Sequence, residues 1–306
     1  MSISIEIKKK AIEIGFDKVG ISKVDLLKNE EEKLSEWLNK KFHGTMSWME
    51  KNFEKRIDVS NVLPNAKSIV SVALNYQTDI CHSQNKNFGK ISRYAFGNDY
   101  HDILKNKLEI LLNFVKEKFP NTNSKIYVDT GPVLEKVWAV KSGIGWMGKH
   151  TNVIAKELGS YFFIGEIILD IELESDKVEL DLCGTCTKCI DDCPTDAIIA
   201  PYILDSNKCI SYLTIEHKDE IEKKFIGKFK SWIYGCDICQ EVCPWNKKFS
   251  HPTNELSFYG KNIELNLDTI ENLTDEDFQK QFKKSAIKRI KNKQLKRNGK
   301  FLNTKN

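Results

Sequence analysis

The chain has 306 residues, nine of them cysteine, with 41% hydrophobic and 29% charged residues and a formal net charge of +4. That length gives room for a sizeable core and for two domains, and the composition is that of an ordinary soluble protein. A charged opening (Met-Ser-Ile-Ser-Ile-Glu-Ile-Lys-Lys-Lys) and the lack of any apolar run near the roughly 20 residues of a membrane helix argue against export and membrane insertion, and predict a reducing, cytoplasmic setting.

Apolar residues at helical spacing over 5–14 stop at Gly15, and 17–22 then reads as a short strand. A second helix over about 30–41 puts Leu34, Trp37 and Leu38 on one face. The loop beyond it, His43-Gly-Thr-Met-Ser-Trp-Met49, has more bulky apolar side chains than an exposed loop needs, so it is either packed in the core or covers a ligand. Residues 67–76 form the clearest strand, rich in β-branched side chains. After a polar loop with an incidental Cys81, Ser92-Arg93-Tyr-Ala-Phe-Gly-Asn-Asp-Tyr-His101 leads into a helix over 101–118 whose stripe of Ile103, Leu104, Leu108, Leu111, Leu112 and Val115 is core. Arg, Tyr and His are seldom fully buried unless paired, which sets the preceding cluster apart.

Residues 125–129 form a strand that ends on Asp129, before the turn Thr130-Gly131-Pro132. A carboxylate there is either aimed from a rigid element or caps the next helix. Gly143-Ile-Gly-Trp-Met-Gly-Lys149 packs three glycines into six residues, a bed with room for a large ligand but without the pattern of a dinucleotide site. Strands over 151–155 and 161–169 complete an α+β domain ending near residue 176. A charged helix is expected at about 216–228, and Thr274-Asp-Glu-Asp277 is a good helix start before Phe278 and Phe282. From Gln281 onward there are ten Lys or Arg and no Asp or Glu, a run that either binds phosphate backbones or is simply solvated.

Cys183-Gly-Thr-Cys186-Thr-Lys-Cys189-Ile-Asp-Asp-Cys193-Pro194 is echoed by Cys236-Asp-Ile-Cys239-Gln-Glu-Val-Cys243-Pro244. The first run has the spacing Cys-x2-Cys-x2-Cys-x3-Cys-Pro of bacterial two-cluster ferredoxins, whose fourth thiolate reaches to the other cluster. With Cys209 the ligands divide into Cys183, Cys186, Cys189 and Cys243 for one [4Fe–4S] cluster, and Cys193, Cys209, Cys236 and Cys239 for a second. Structural zinc needs neither the third cysteine nor the proline, and disulfides do not suit a reducing compartment. Two clusters alone would make an electron carrier. The additional domain, with its aimed carboxylate and glycine bed, points instead to an enzyme holding a flavin or a corrinoid.

Glu54-Lys-Arg56, Arg93–His101, Asp129-Thr-Gly-Pro-Val-Leu-Glu-Lys, Gly143–Lys149 and the cysteine pattern, in that order, resemble the epoxyqueuosine reductase family over nearly the whole chain. The resemblance implies an N-terminal α/β sandwich that binds cobalamin base-off (residues 1–176), a ferredoxin-like two-cluster module (177–250) and a short helical basic segment (251–306). It implies reduction of epoxyqueuosine to queuosine at the wobble position of tRNA, the last step of queuosine biosynthesis, with Asp129 as proton donor and electrons from a small donor such as a flavodoxin or ferredoxin. Cobalamin contacts carried over by motif fall on Arg56, Ser92, Asp129, Gly148, Lys149, Val153, Ile164, Ser211 and Asp237. The expected protein is a monomer that contacts tRNA through Trp232, Trp245 and the basic tail, without the helical-repeat domain of longer members. A corrinoid iron–sulfur reductase of small molecules and a ferredoxin-type carrier are the alternative readings.

Overall fold

The computed structural model describes residues 2–260 and 262–304. A four-stranded antiparallel sheet lies at the centre of the N-terminal part, in the order Lys18–Lys23, Ser68–Asn75, Phe162–Leu169, Ser124–Tyr127. Every residue of Ser68–Asn75 is buried, which is why that strand reads as nearly continuous apolar sequence. On one face the helix Tyr100–Lys118 lays Leu104, Leu108, Leu111 and Val115 into the core beside Ile7 and Ala11 of the first helix, Ile3–Ile14. Gly165 permits that approach, because a Cβ there would stand 2.8 Å from Leu108 Cδ1. On the other face Trp138, from the helix Glu135–Lys141, packs with Ile69 and Ile168. The result is the expected α/β sandwich.

A second sheet ties the rest of the chain to it. Trp232–Tyr234 runs parallel to Phe88–Ile91, and Glu264–Asn266 runs antiparallel along the other edge of that strand. Each of the three segments expected from the sequence contributes one strand, and one core contains Phe96, Tyr234, Phe282 and Leu295 together.

Three expectations change. No helix occupies 216–228, where the chain makes a helix Ile210–Ile215 and then a single turn, Lys223–Phe225. The Arg297 guanidinium donates to the carbonyls of Leu213, His217 and Asp219, so the carbonyls that would continue the helix are already taken. The basic run is not a free tail. Leu295, Asn298 and Gly299 of the helix Asn292–Asn303 are buried, and the Asn298 side chain donates to the carbonyls of Thr214 and Ile233. Of that run, Lys305 and Asn306 lie outside the described residues. Trp232 is 1% exposed, packed edge-on against His82, and offers no face to a nucleobase. The helix start at Thr274 is as expected: its hydroxyl accepts the Asp277 N–H.

Candidate active site

The strand Ser124–Tyr127 stops short of Asp129, which sits in the following turn with φ +59, the left-handed region that non-glycine residues rarely adopt. Its backbone N–H donates to Glu135 Oε1 at 2.6 Å, so the first residue of the next helix holds the turn in place. The Asp129 carboxylate faces a cavity of about 960 Å3, accepts from the Tyr100 hydroxyl at 2.8 Å and lies 3.4 Å from His101 Nε2. His101 Nδ1 is 2.6 Å from Asp99, and Lys288 pairs with Asp99 at 2.8 Å. Asp99 also caps the helix that carries Tyr100 and His101, accepting the His101 N–H. The helix start and the polar chain are thus built from the same residues.

Burial pushes the Asp129 carboxyl up, but the pull of His101 and Tyr100 outweighs it and leaves it below the usual carboxylate range. Burial likewise works against a charged His101, yet Asp129 and Asp99 raise it to about 9. Glu135 is pushed up to about 8, first by burial and then by the charge of Asp129. Near neutral pH the proton of this cluster therefore resides on His101 and on Glu135, while Asp129 is ionised. The neighbours that position the carboxylate also stabilise its charge.

Four cysteines, Cys193, Cys209, Cys236 and Cys239, line this same cavity. A second cavity of about 330 Å3 is lined by Cys183, Cys186, Cys189 and Cys243. This is the division expected from the spacing, and none of these cysteines forms a disulfide.

Of the expected cobalamin contacts, Ser92, Asp129, Val153, Ile164 and Ser211 line the larger cavity. Arg56 lies behind its wall, stacked on Trp48 at 5.6 Å and donating to the Trp48 carbonyl. Asp237 is 1% exposed and accepts from the Ser92 hydroxyl and the Arg93 N–H, so it acts through Ser92. Gly148 lies against Ile154 and His150, where a Cβ would come within 2.7 Å of Ile154 Cδ1. Lys149 turns away, and its ammonium donates to the carbonyls of Gly184 and Cys186 beside the smaller cavity. The loop of Met46 and Trp48 covers the larger cavity, as one reading of its apolar content expected.

Arg289 and Lys288 also line the larger cavity, Arg289 paired with Glu216 at 2.6 Å. The sequence presented both as part of a basic run and gave no sign of that position. Lys136, which donates to the Thr151 carbonyl and to Asn152 Oδ1, and His150, whose buried Nε2 has no partner, stand at the same wall. Lys136 ends the motif that begins at Asp129, and His150 directly follows the glycine-rich segment.

Two family models match the chain: "Epoxyqueuosine reductase QueG, DUF1730" over residues 56–130 and "4Fe-4S double cluster binding domain" over residues 182–246. The chain is 47% identical to an epoxyqueuosine reductase of Cellulophaga algicola over 97% of its own length and 96% of the relative's. It is similar to the crystal structure of an epoxyqueuosine reductase with an epoxyqueuosine-modified tRNA-Tyr stem loop, with a TM-score of 0.90, 31% identity and coverage of 98% of this chain and 80% of that one. It is also similar to the Bacillus subtilis epoxyqueuosine reductase captured with its catalytic aspartate loop swung out of the active site, at TM-score 0.89, 31% identity and the same coverage.

Proposed function

Because the chain belongs to the epoxyqueuosine reductase family, we propose that its larger cavity is where the epoxide is reduced, with Asp129 delivering the proton and the two groups of four cysteines conducting the electrons. The protein reduces epoxyqueuosine to queuosine in tRNA and carries two [4Fe–4S] clusters. The observation that carries the assignment of residues is the single cavity with Asp129 on one wall and Cys193, Cys209, Cys236 and Cys239 on another. An electron arriving at those cysteines and a proton delivered from His101 through Asp129 meet in one space.

The reaction removes the epoxide oxygen as water and takes up two electrons and two protons. As the C–O bonds break, the oxygen gains charge and needs a proton at that moment. Asp129 stands at the open wall and His101, held protonated, stands behind it. His101 passes its proton to Asp129, and Asp129 passes it to the oxygen. The Tyr100 hydroxyl keeps the carboxylate turned towards the cavity. Arg289 and Lys288 at the rim attract the phosphates that flank the modified nucleotide.

The larger cavity fits cobalamin in size and in lining. Its volume is at the upper end for a small-molecule site, and the lining joins apolar side chains such as Phe162 and Ile164 to the hydroxyls of Ser92 and Ser211. Bound base-off there, cobalamin would supply a low-potential cobalt between the cysteines and the epoxide. Ser92, Asp129, Val153, Ile164 and Ser211 would hold it, with Asp237 fixing the Ser92 hydroxyl. Among the described residues no helix is long and apolar enough to cross a membrane. A cytoplasmic monomer served by a flavodoxin or ferredoxin completes the reading. The test is turnover of epoxyqueuosine-containing tRNA by the reconstituted protein, beside an Asp129→Asn variant that keeps its clusters; equal rates in the two would remove Asp129 from the chemistry.

A further inference from the structure

We propose that Trp146 and Lys149 grip the outer cluster, the one at Cys183, Cys186, Cys189 and Cys243, and raise its reduction potential. The inference rests on the presence of two clusters and is independent of the epoxide chemistry.

Lys149 is 9% exposed, and its ammonium donates to the carbonyls of Gly184 at 2.6 Å and Cys186 at 3.0 Å, in the loop that bears the first three ligands. Those two partners are neutral. A buried cation without a counter-charge is unfavourable unless a negative group sits beside it. A cubane held by four thiolates is such a group, and Lys149 lines the cavity it would fill.

Trp146 is 1% exposed and packs with Cys183 and Cys243, yet its indole N–H has no partner. A thiol accepts weakly, whereas a cluster-bound thiolate accepts well. The orphaned donor therefore has a partner once the cluster is in place.

Hydrogen bonds to the cluster sulfurs and a nearby cation favour the reduced, more negative state. The Gly143–Lys149 segment, expected to bed the corrinoid, thereby also fastens the cluster module to the sheet domain.

The experiment is an EPR-monitored redox titration of the anaerobically reconstituted protein, with Trp146→Phe, Lys149→Met and Lys149→Arg variants and iron counts alongside. A Cys243→Ala protein, keeping only the inner cluster, assigns the signals. Trp146→Phe and Lys149→Met should each move the outer cluster to lower potential and leave the inner one where it was, and Lys149→Arg should restore it. If Lys149→Met fails to assemble the outer cluster and Lys149→Arg recovers it, the grip is supported, and Trp146→Phe still reads the potential. Unchanged outer potentials in both Trp146→Phe and Lys149→Met, with full iron, overturn the proposal while the two-cluster reading stands. A wild-type protein with a single cluster overturns both.

Discussion

The backbone N–H of Asp129 donates to Glu135 Oε1 across 2.6 Å, and this one bond joins a residue in the left-handed region to the first turn of the helix behind it. A non-glycine residue at φ +59 costs on the order of 1–2 kcal/mol, about what one such hydrogen bond contributes. Glu135 is thus a latch on the Asp129 turn. Glu135→Ala should lower turnover about tenfold, the equivalent of roughly 1.4 kcal/mol, with little change in tRNA affinity, and Glu135→Gln should retain most activity because its carbonyl still accepts. Single-turnover kinetics separates the two parameters, and equal activity in the Ala and Gln variants would contradict the latch.

The protonation state of His101 sets a pH limit. Its folded value of about 9 lies above the ordinary histidine value, so the stabilising charge is fully present below pH 6.5 and is lost as the pH rises through about 9. Activity should therefore fall on the alkaline side near pH 9. Asp99→Asn keeps the helix cap but removes one of the two carboxylates that hold the proton, and should move that limb towards neutrality. A pH–rate profile of the two proteins, and direct titration of His101 by NMR, would decide it.

The cluster assignment is read most simply from iron. Cys243 is distant in sequence from Cys183, Cys186 and Cys189 but lines the same cavity, and Cys209 joins Cys193, Cys236 and Cys239. Either Cys243→Ala or Cys209→Ala should reduce the count from about eight irons to about four, each removing a different EPR signal. Loss of the same signal in both would mean that the ligands are shared out otherwise.

Within the basic run, charge and fold separate by residue. Arg297 is buried and hydrogen-bonded to three backbone carbonyls, so Arg297→Met should cost about 2–4 kcal/mol and lower the melting temperature. Lys283, Lys284, Lys291 and Lys293 are exposed, and their replacement by Gln should leave stability within about 0.5 kcal/mol. The same replacement should weaken tRNA binding and reduce its salt slope by about 0.7–0.9 for each phosphate no longer neutralised. Deleting 283–306 would not test this, because Leu295 and Asn298 belong to the core.

The two-cluster module and the exposed position of Asp129 beside a turn were legible in the chain alone. Ligand spacing is local chemistry: Cys183 to Cys193 lie within one loop and one short helix, so the geometry that places them follows from the chain itself. Asp129 stood out because a carboxylate before Gly-Pro leaves a strand in a confined direction, and the strand over 68–75 because full burial selects apolar, β-branched residues at most positions. Packing between distant segments settled the rest. Whether a lysine is solvated or buried depends on what packs over it, and periodicity cannot say that Arg297 ends the helix after Ile215 or that Trp232 lies beneath His82. The charge state of Asp129 was decided in the same way. It depends on His101 and Tyr100, 28 or more residues earlier, brought within 3.4 Å by the packing of a helix on a sheet.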